Sequence, residues 1–102
     1  MSMSSNRLTL AGFLKFMDLS RDKVVGRLEN RIKVQKLVYF GKKLGLPLNY
    51  DFDLYIYGPY SSKLSDDYYN MSENEWTTGK LNIPDLMKPA LSYLKERDAL
   101  FL

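Results

Sequence analysis

Apolar residues fall along this chain at two spacings, and the change from one to the other divides it into elements. Leu10, Phe13, Leu14 and Met17 recur at helical spacing behind Ser4 and Ser5, which offer caps, so a first helix is predicted from about Asn6 to Leu19, slightly weakened by Gly12. The following SRDKVVGRLE is polar, contains Gly26 and reads as a connector. Asn30 is a good N-cap for a second helix from Arg31, whose stripe Val34, Leu37, Val38, Phe40 and Leu44 would face the core with small Gly41 in its middle. Lys42 and Lys43 suit the carbonyl end of that helix, and Gly45 followed by Pro47 stops it. Phe52, Leu54 and Ile56 then alternate with Asp53, Tyr55 and Tyr57, the period-two pattern of a strand whose first set faces inward, and Gly58-Pro59 ends it.

Ser61 or Ser62 can cap a third helix that keeps Leu64, Tyr68 and Met71 on its inner side and stops near Asn74, with Asp66 and Asp67 early enough to favour its positive end. Trp76 to Leu81, WTTGKL, is rich in β-branched and aromatic residues and reads as a short strand pairing antiparallel with the first. Asn82 or Pro84 opens a last helical region whose regular part starts at Pro89, turning Leu91, Leu94 and Tyr93 inward. The expected fold is α+β: a mostly helical single domain over residues 1–102, about four helices around a short antiparallel two-stranded sheet. The apolar end Ala99 to Leu102 would pack back on the domain or on a second copy, giving a homodimer through the C-terminus.

Composition narrows the chemistry. The chain has neither cysteine nor histidine, which removes thiolate metal sites, disulfides and the Ser-His and Cys-His mechanisms, and fits a reducing cytoplasm. Asp66 and Asp67 are neighbours in a helix and diverge by about 100°, so they do not converge on one site, and the adjacent Ser62 and Lys63 are the only other acid-base candidates. Asp51 and Asp53 lack the further ligands of a calcium loop. The expectation is no enzyme, no cofactor and no metal. Apolar runs such as Leu37 to Phe40 are far shorter than a membrane span, so no membrane association is expected.

Charge is polarised. Arg21 to Lys43 holds eight basic residues against Asp22 and Glu29, whereas Asp51 to Glu75 holds six acids against Lys63. On the side of the second helix opposite its stripe stand Arg31, Gln35, Lys36, Tyr39, Lys42 and Lys43, a basic face with an aromatic at its centre and the expected partner surface. The alternative is a nucleic-acid-binding regulator in which that face meets phosphates and Tyr39 stacks on a base. A winged-helix arrangement fits poorly, because the strand after Leu48 runs into another helix. Tyr57-Gly58-Pro59 reads first as a structural corner.

The string Val34-Gln35-Lys36-Leu37-Val38-Tyr39-Phe40, followed about fifteen residues later by Tyr55-Ile56-Tyr57-Gly58-Pro59-Tyr60-Ser61, resembles the paired signature of the Panacea, or SocA-like phage-associated, superfamily in its YwgA-like branch. That superfamily couples an LQKLLYF-type helix to a YGP-type strand end, and Gly26-Arg27 is similar to the pair that often precedes the helix. On this resemblance, which covers roughly Gly26 to Met71, the family motif comprises Gln35, Lys36, Leu37, Tyr39, Phe40, Tyr57, Gly58 and Pro59. Val34 stands where leucine is common, and the chain stops before the further helices of longer relatives, as a C-terminally truncated member would. The resemblance implies a non-enzymatic domain acting through protein contacts, often as an antitoxin that neutralises a toxin encoded beside it. A conserved protein of unknown function is a further alternative, since many members of the branch have no assigned role.

Overall fold

The computed structural model describes residues 5–97, ordered as α1 (Ser5–Phe16), α2 (Arg21–Gly26), α3 (Leu28–Lys43), β1 (Asp53–Tyr55), β2 (Gly58–Tyr60), α4 (Ser62–Asn70), α5 (Glu73–Thr78) and α6 (Lys88–Lys95), with a 3-10 turn at Asp85–Met87 leading into α6. The domain is mostly helical with a two-stranded antiparallel sheet. Four helices, α1, α3, α4 and α6, run eight residues or more, and α2 and α5 add two shorter ones.

Capping explains most departures from the hydrophobic pattern. The expected connector folds into α2 because the Ser20 hydroxyl accepts the Lys23 N–H and Val24 is buried as its apolar anchor. Helix α3 starts at Leu28 with Arg27 in extended geometry as its N-cap, so Asn30 is not a cap; its side-chain amide instead donates to the Lys23 carbonyl at 2.8 Å and ties α3 to α2. The strand expected at Trp76 to Leu81 is absent. Ser72 and Glu75 form a reciprocal capping box, the hydroxyl accepting the Glu75 N–H at 3.0 Å and the carboxylate accepting the Ser72 N–H at 3.1 Å. That local gain sets Trp76, Thr77 and Thr78 in α5 despite their β-propensity. Ser61 caps α4 as anticipated, accepting the Leu64 N–H at 3.2 Å.

Helix α3 lies at the centre. Val34, Leu37 and Val38 are fully buried and share one hydrophobic cluster with Leu10, Phe13 and Leu14 of α1, Leu64 of α4 and Leu91 of α6. The stripe fades toward its end, with Phe40 half-buried and Leu44 exposed. In α6, Pro89 sits in the first turn and Leu91 points inward as expected. Tyr93 does not: it is exposed, with the Arg97 guanidinium 4.4 Å from its ring. The apolar end at residues 99–102, and with it the expected C-terminal homodimer contact, lies outside the described residues.

Two glycines set the approach of α1 to the chain around α5. A Cβ at Gly12 would stand 2.3 Å from the Leu81 nitrogen, and one at Gly79 would stand 2.5 Å from the Leu8 carbonyl oxygen. Gly12 is therefore required for backbone-to-backbone packing, which outweighs its poor helix propensity. The loop from α3 to β1 folds through two successive three-residue turns, Leu48 N–H to the Leu46 carbonyl and Tyr50 N–H to the Leu48 carbonyl, burying Leu46, Leu48 and Tyr50 while Pro47, Asn49 and Asp51 face out. The Tyr50 hydroxyl donates to the buried Asp67 carboxylate at 2.8 Å, and Lys63 adds an ion pair to that carboxylate at 3.3 Å. Burial, then the Asp67 hydrogen bond, pushes the Tyr50 phenol far above its ordinary pKa.

Candidate functional site

The expected strand runs for only three residues and turns back through Ile56 and Tyr57, pairing Asp53 with Tyr60, Leu54 with Pro59 and Tyr55 with Gly58. Gly58 adopts φ +107, a left-handed value, while neither turn residue has a positive φ, so the tight reversal places its strained backbone where no Cβ opposes it. The Gly-Pro pair thus begins the return strand, where the sequence suggested it ended the only strand of this segment. Pairing puts Leu54 and Pro59 on one face of the hairpin and Asp53, Tyr55 and Tyr60 on the other.

The inward orientation expected for Phe52, Leu54 and Ile56 is overturned for two of the three. Leu54 is 81% exposed and Ile56 94% exposed; Phe52 alone is half-buried, its ring edge-on to Tyr39 at 5.5 Å. The hairpin rests on α3 through β2, and a Cβ at Gly58 would meet the Lys36 side chain at 3.1 Å, so β1 is left outboard.

The other face of the hairpin closes a hollow of about 290 Å³ against the first half of α3 and against α4. Its walls carry Tyr55, Tyr57, Tyr60, Tyr68 and Tyr69 with Arg31 and Gln35 and, among the described residues, no carboxylate. Tyr55 and Tyr60 meet edge to face at 5.6 Å, and Tyr68 and Tyr69 tilt against each other at 5.2 Å. Tyr68 is buried, which raises its phenol pKa, so it serves as the floor. Arg31 donates to the Val25 carbonyl at 2.7 Å and makes no ion pair among the described residues.

The residues expected to form one free basic face are divided by β2. Gln35 is 3% exposed and Lys36 9% exposed, which corrects their assignment to an open partner surface. Gln35 clamps the hairpin exit, its amide donating to the Ser61 carbonyl at 3.1 Å and its carbonyl oxygen accepting the Ser61 N–H at 2.8 Å. Arg31 lies in the tyrosine hollow, whereas Tyr39, Lys42 and Lys43 lie on the far side. Lys42 donates to the Tyr50 carbonyl and stands 3.8 Å from Asp51, and the Lys43 ammonium sits 5.4 Å from the centre of the Tyr39 ring. Lys33 is engaged as well, by the Lys95 carbonyl. The helix presents no continuous row of unengaged cations.

The two halves of the sequence motif meet in space: Gln35 on Ser61, Lys36 beneath Gly58, and Leu37 in the core, with Tyr57 and Pro59 shaping the turn. Asp66 is exposed and Asp67 is buried on Tyr50, so the two carboxylates stand apart. Among the described residues no group of three or more side chains is placed to hold a metal, and no helix is long and apolar enough to cross a membrane. Sequence reasoning missed Tyr60, Tyr68 and Tyr69 as one surface. The available signal was local enrichment, since five of the eight tyrosines fall between residues 55 and 69. No protein-family model, curated protein or solved structure gives a significant match to this chain.

Proposed function

We propose that this protein is a non-enzymatic, cytoplasmic interaction module whose tyrosine-lined groove seats a protein partner, with neutralisation of a toxin encoded nearby as the specific role. The partner presents a carboxylate to Arg31 and an apolar or aromatic side chain to Tyr55, Tyr60 and Tyr69. One observation carries this reading: among the described residues, five tyrosines and an arginine without an ion-pair partner wall a hollow that contains no opposing acid. Tyrosine and arginine are the residues that anchor protein interfaces, because each offers a large contact area with a polar tip. A volume of about 290 Å³ suits one or two inserted side chains and lies at the small end of ligand pockets. The engaged cations of α3 make a phosphate-tracking surface the weaker alternative. Toxin neutralisation rests on the motif resemblance; the groove supplies the surface.

The test is co-expression with the product of the adjacent small reading frame. That product alone should arrest growth, and this protein should restore growth and co-purify with it. Arg31→Glu combined with Tyr69→Ala should abolish both effects while the melting temperature falls only by the loss of the Arg31 hydrogen bond to the Val25 carbonyl, about 1 kcal/mol or about 4–8 °C, because Tyr69 is exposed. Rescue by the double variant equal to that by the parent protein would remove the groove from the reading.

A further inference from the structure

Among the described residues, nothing pairs with the edge of β1 that faces away from β2. The sheet has two strands, β2 packs on α3, and all three β1 residues are exposed. Pro59 has no N–H, so its pairing with Leu54 cannot be a hydrogen-bonded one. The hydrogen-bonded pairs of the antiparallel ladder are then Asp53 with Tyr60 and Tyr55 with Gly58, and the Leu54 N–H and C=O point out along the free edge. Soluble proteins commonly blunt such an edge with lysine, proline or a covering element. Here the residue at its centre is leucine, and Ile56 in the adjoining turn is almost wholly exposed.

We propose that this edge pairs antiparallel with the same edge of a second copy about a two-fold axis through Leu54, giving a four-stranded sheet of order β2-β1-β1-β2. The pattern selects the second copy as occupant because it is self-complementary. Leu54 then stands opposite Leu54 of the partner subunit as a hydrogen-bonded pair, with the exposed side chain of Ile56 in the adjoining turn beside it. On the other face Asp53 stands opposite Tyr55 of the partner subunit, so no like charges meet. Shifting the axis to Asp53 would oppose two carboxylates, and shifting it to Tyr55 would require the turn residues Ile56 and Tyr57 to be extended. A contact this short buries less than a standard interface, so the association is concentration-dependent. It shares Tyr55 with the groove, but neither Arg31 nor Tyr69 lies on the edge, so variants at those two residues and at Leu54 test the two readings separately.

Sedimentation velocity from about 1 µM to about 1 mM, the range in which weak contacts populate, should show the 11.9 kDa chain moving toward twice its mass. Leu54→Pro removes only the outward N–H and should stay monomeric throughout, with an unchanged circular dichroism spectrum. The chain has no cysteine, which permits a register test. Single variants Leu54→Cys and Ile56→Cys are oxidised side by side: an opposed pair at position 54 places its Cα atoms about 5.5 Å apart, inside disulfide range, whereas position 56 is offset by about four residues. Leu54→Cys should cross-link into a dimer at least about tenfold faster. A wild-type protein that remains monomeric at the highest concentration, or equal cross-linking at the two positions, overturns the proposal.

Discussion

Replacing Gln35 by leucine separates a structural role for this residue from a contact role. The Gln35 carbonyl oxygen accepts the Ser61 N–H at 2.8 Å, and Ser61 is buried. Ser61 keeps one partner for its carbonyl, because Ser65 N–H also donates there at 3.1 Å. The loss therefore reduces to one buried donor left unsatisfied, about 1–3 kcal/mol. Leucine restores most of the volume, so a large cavity contribution is avoided. For a domain of this size each kcal/mol moves the melting temperature by about 4–8 °C. A decrease of roughly 5–20 °C is expected by circular dichroism, with a matching fall in the urea midpoint followed by Trp76 fluorescence. Gln35→Glu adds a signed control. Burial would raise the folded-state pKa of that carboxyl above its unfolded value, so the variant should be weakest at neutral pH and recover as pH falls through the raised value. A Gln35→Leu loss below about 0.5 kcal/mol would refute the clamp.

Three other perturbations probe the packing around the site. Gly12→Ala improves helix propensity by about 1 kcal/mol but drives a methyl group to 2.3 Å from the Leu81 nitrogen; overpacking of about 1–3 kcal/mol should prevail, lowering the urea midpoint. Tyr50→Phe removes the hydroxyl that donates to buried Asp67, a bond to a charged group worth about 1.5–3 kcal/mol, and should be visible in the same denaturation experiment. Asp18 and Lys95 form an ion pair at 2.7 Å, in which the Lys95 hydrogen bond lowers the Asp18 pKa and the Asp18 hydrogen bond raises that of Lys95. Stability from Asp18 is present above its unfolded pKa and is lost as pH falls through the depressed value; that from Lys95 is present below its unfolded pKa and is lost as pH rises through the elevated one. In an NMR titration, Lys95→Met should move the Asp18 midpoint upward.

The core was legible where one spacing ran uninterrupted. Leu10, Phe13 and Leu14, then Val34, Leu37 and Val38, then Leu64, Tyr68 and Met71 are buried as their periodicity requires. Two kinds of information were not in that periodicity. One is capping: Ser20 and the Ser72–Glu75 pair create six-residue helices where composition read as connector or strand. The other is which side of an amphipathic element the rest of the chain covers. Gln35 and Lys36 belong to the polar side of α3, but β2 lies across it, and the same placement leaves Leu54 and Ile56 without cover. Alternation identifies a two-faced strand; it does not say which face finds a neighbour when the sheet has only two strands.

This exchange of polar inside for apolar outside clarifies the division of labour on the proposed reading. Three of the motif residues hold the hairpin: Gln35 is spent on the Ser61 backbone, Lys36 lies under Gly58, and Gly58 supplies the left-handed backbone angle after the turn. The atoms left facing solvent in the groove belong largely to Leu28, Arg31, Tyr55, Tyr57, Tyr60 and Tyr69, of which none makes the clamp. A change at the clamp therefore acts on both folding and recognition, because it releases the wall on which Tyr60 stands. A change at Tyr69 or Tyr60 removes recognition surface while the buried bonds of α3 to Ser61 persist. A scaffold built this way can change partners by replacing aromatic side chains around an unchanged hairpin, and the stability and capture measurements on Gln35 and Tyr69 variants should accordingly part company.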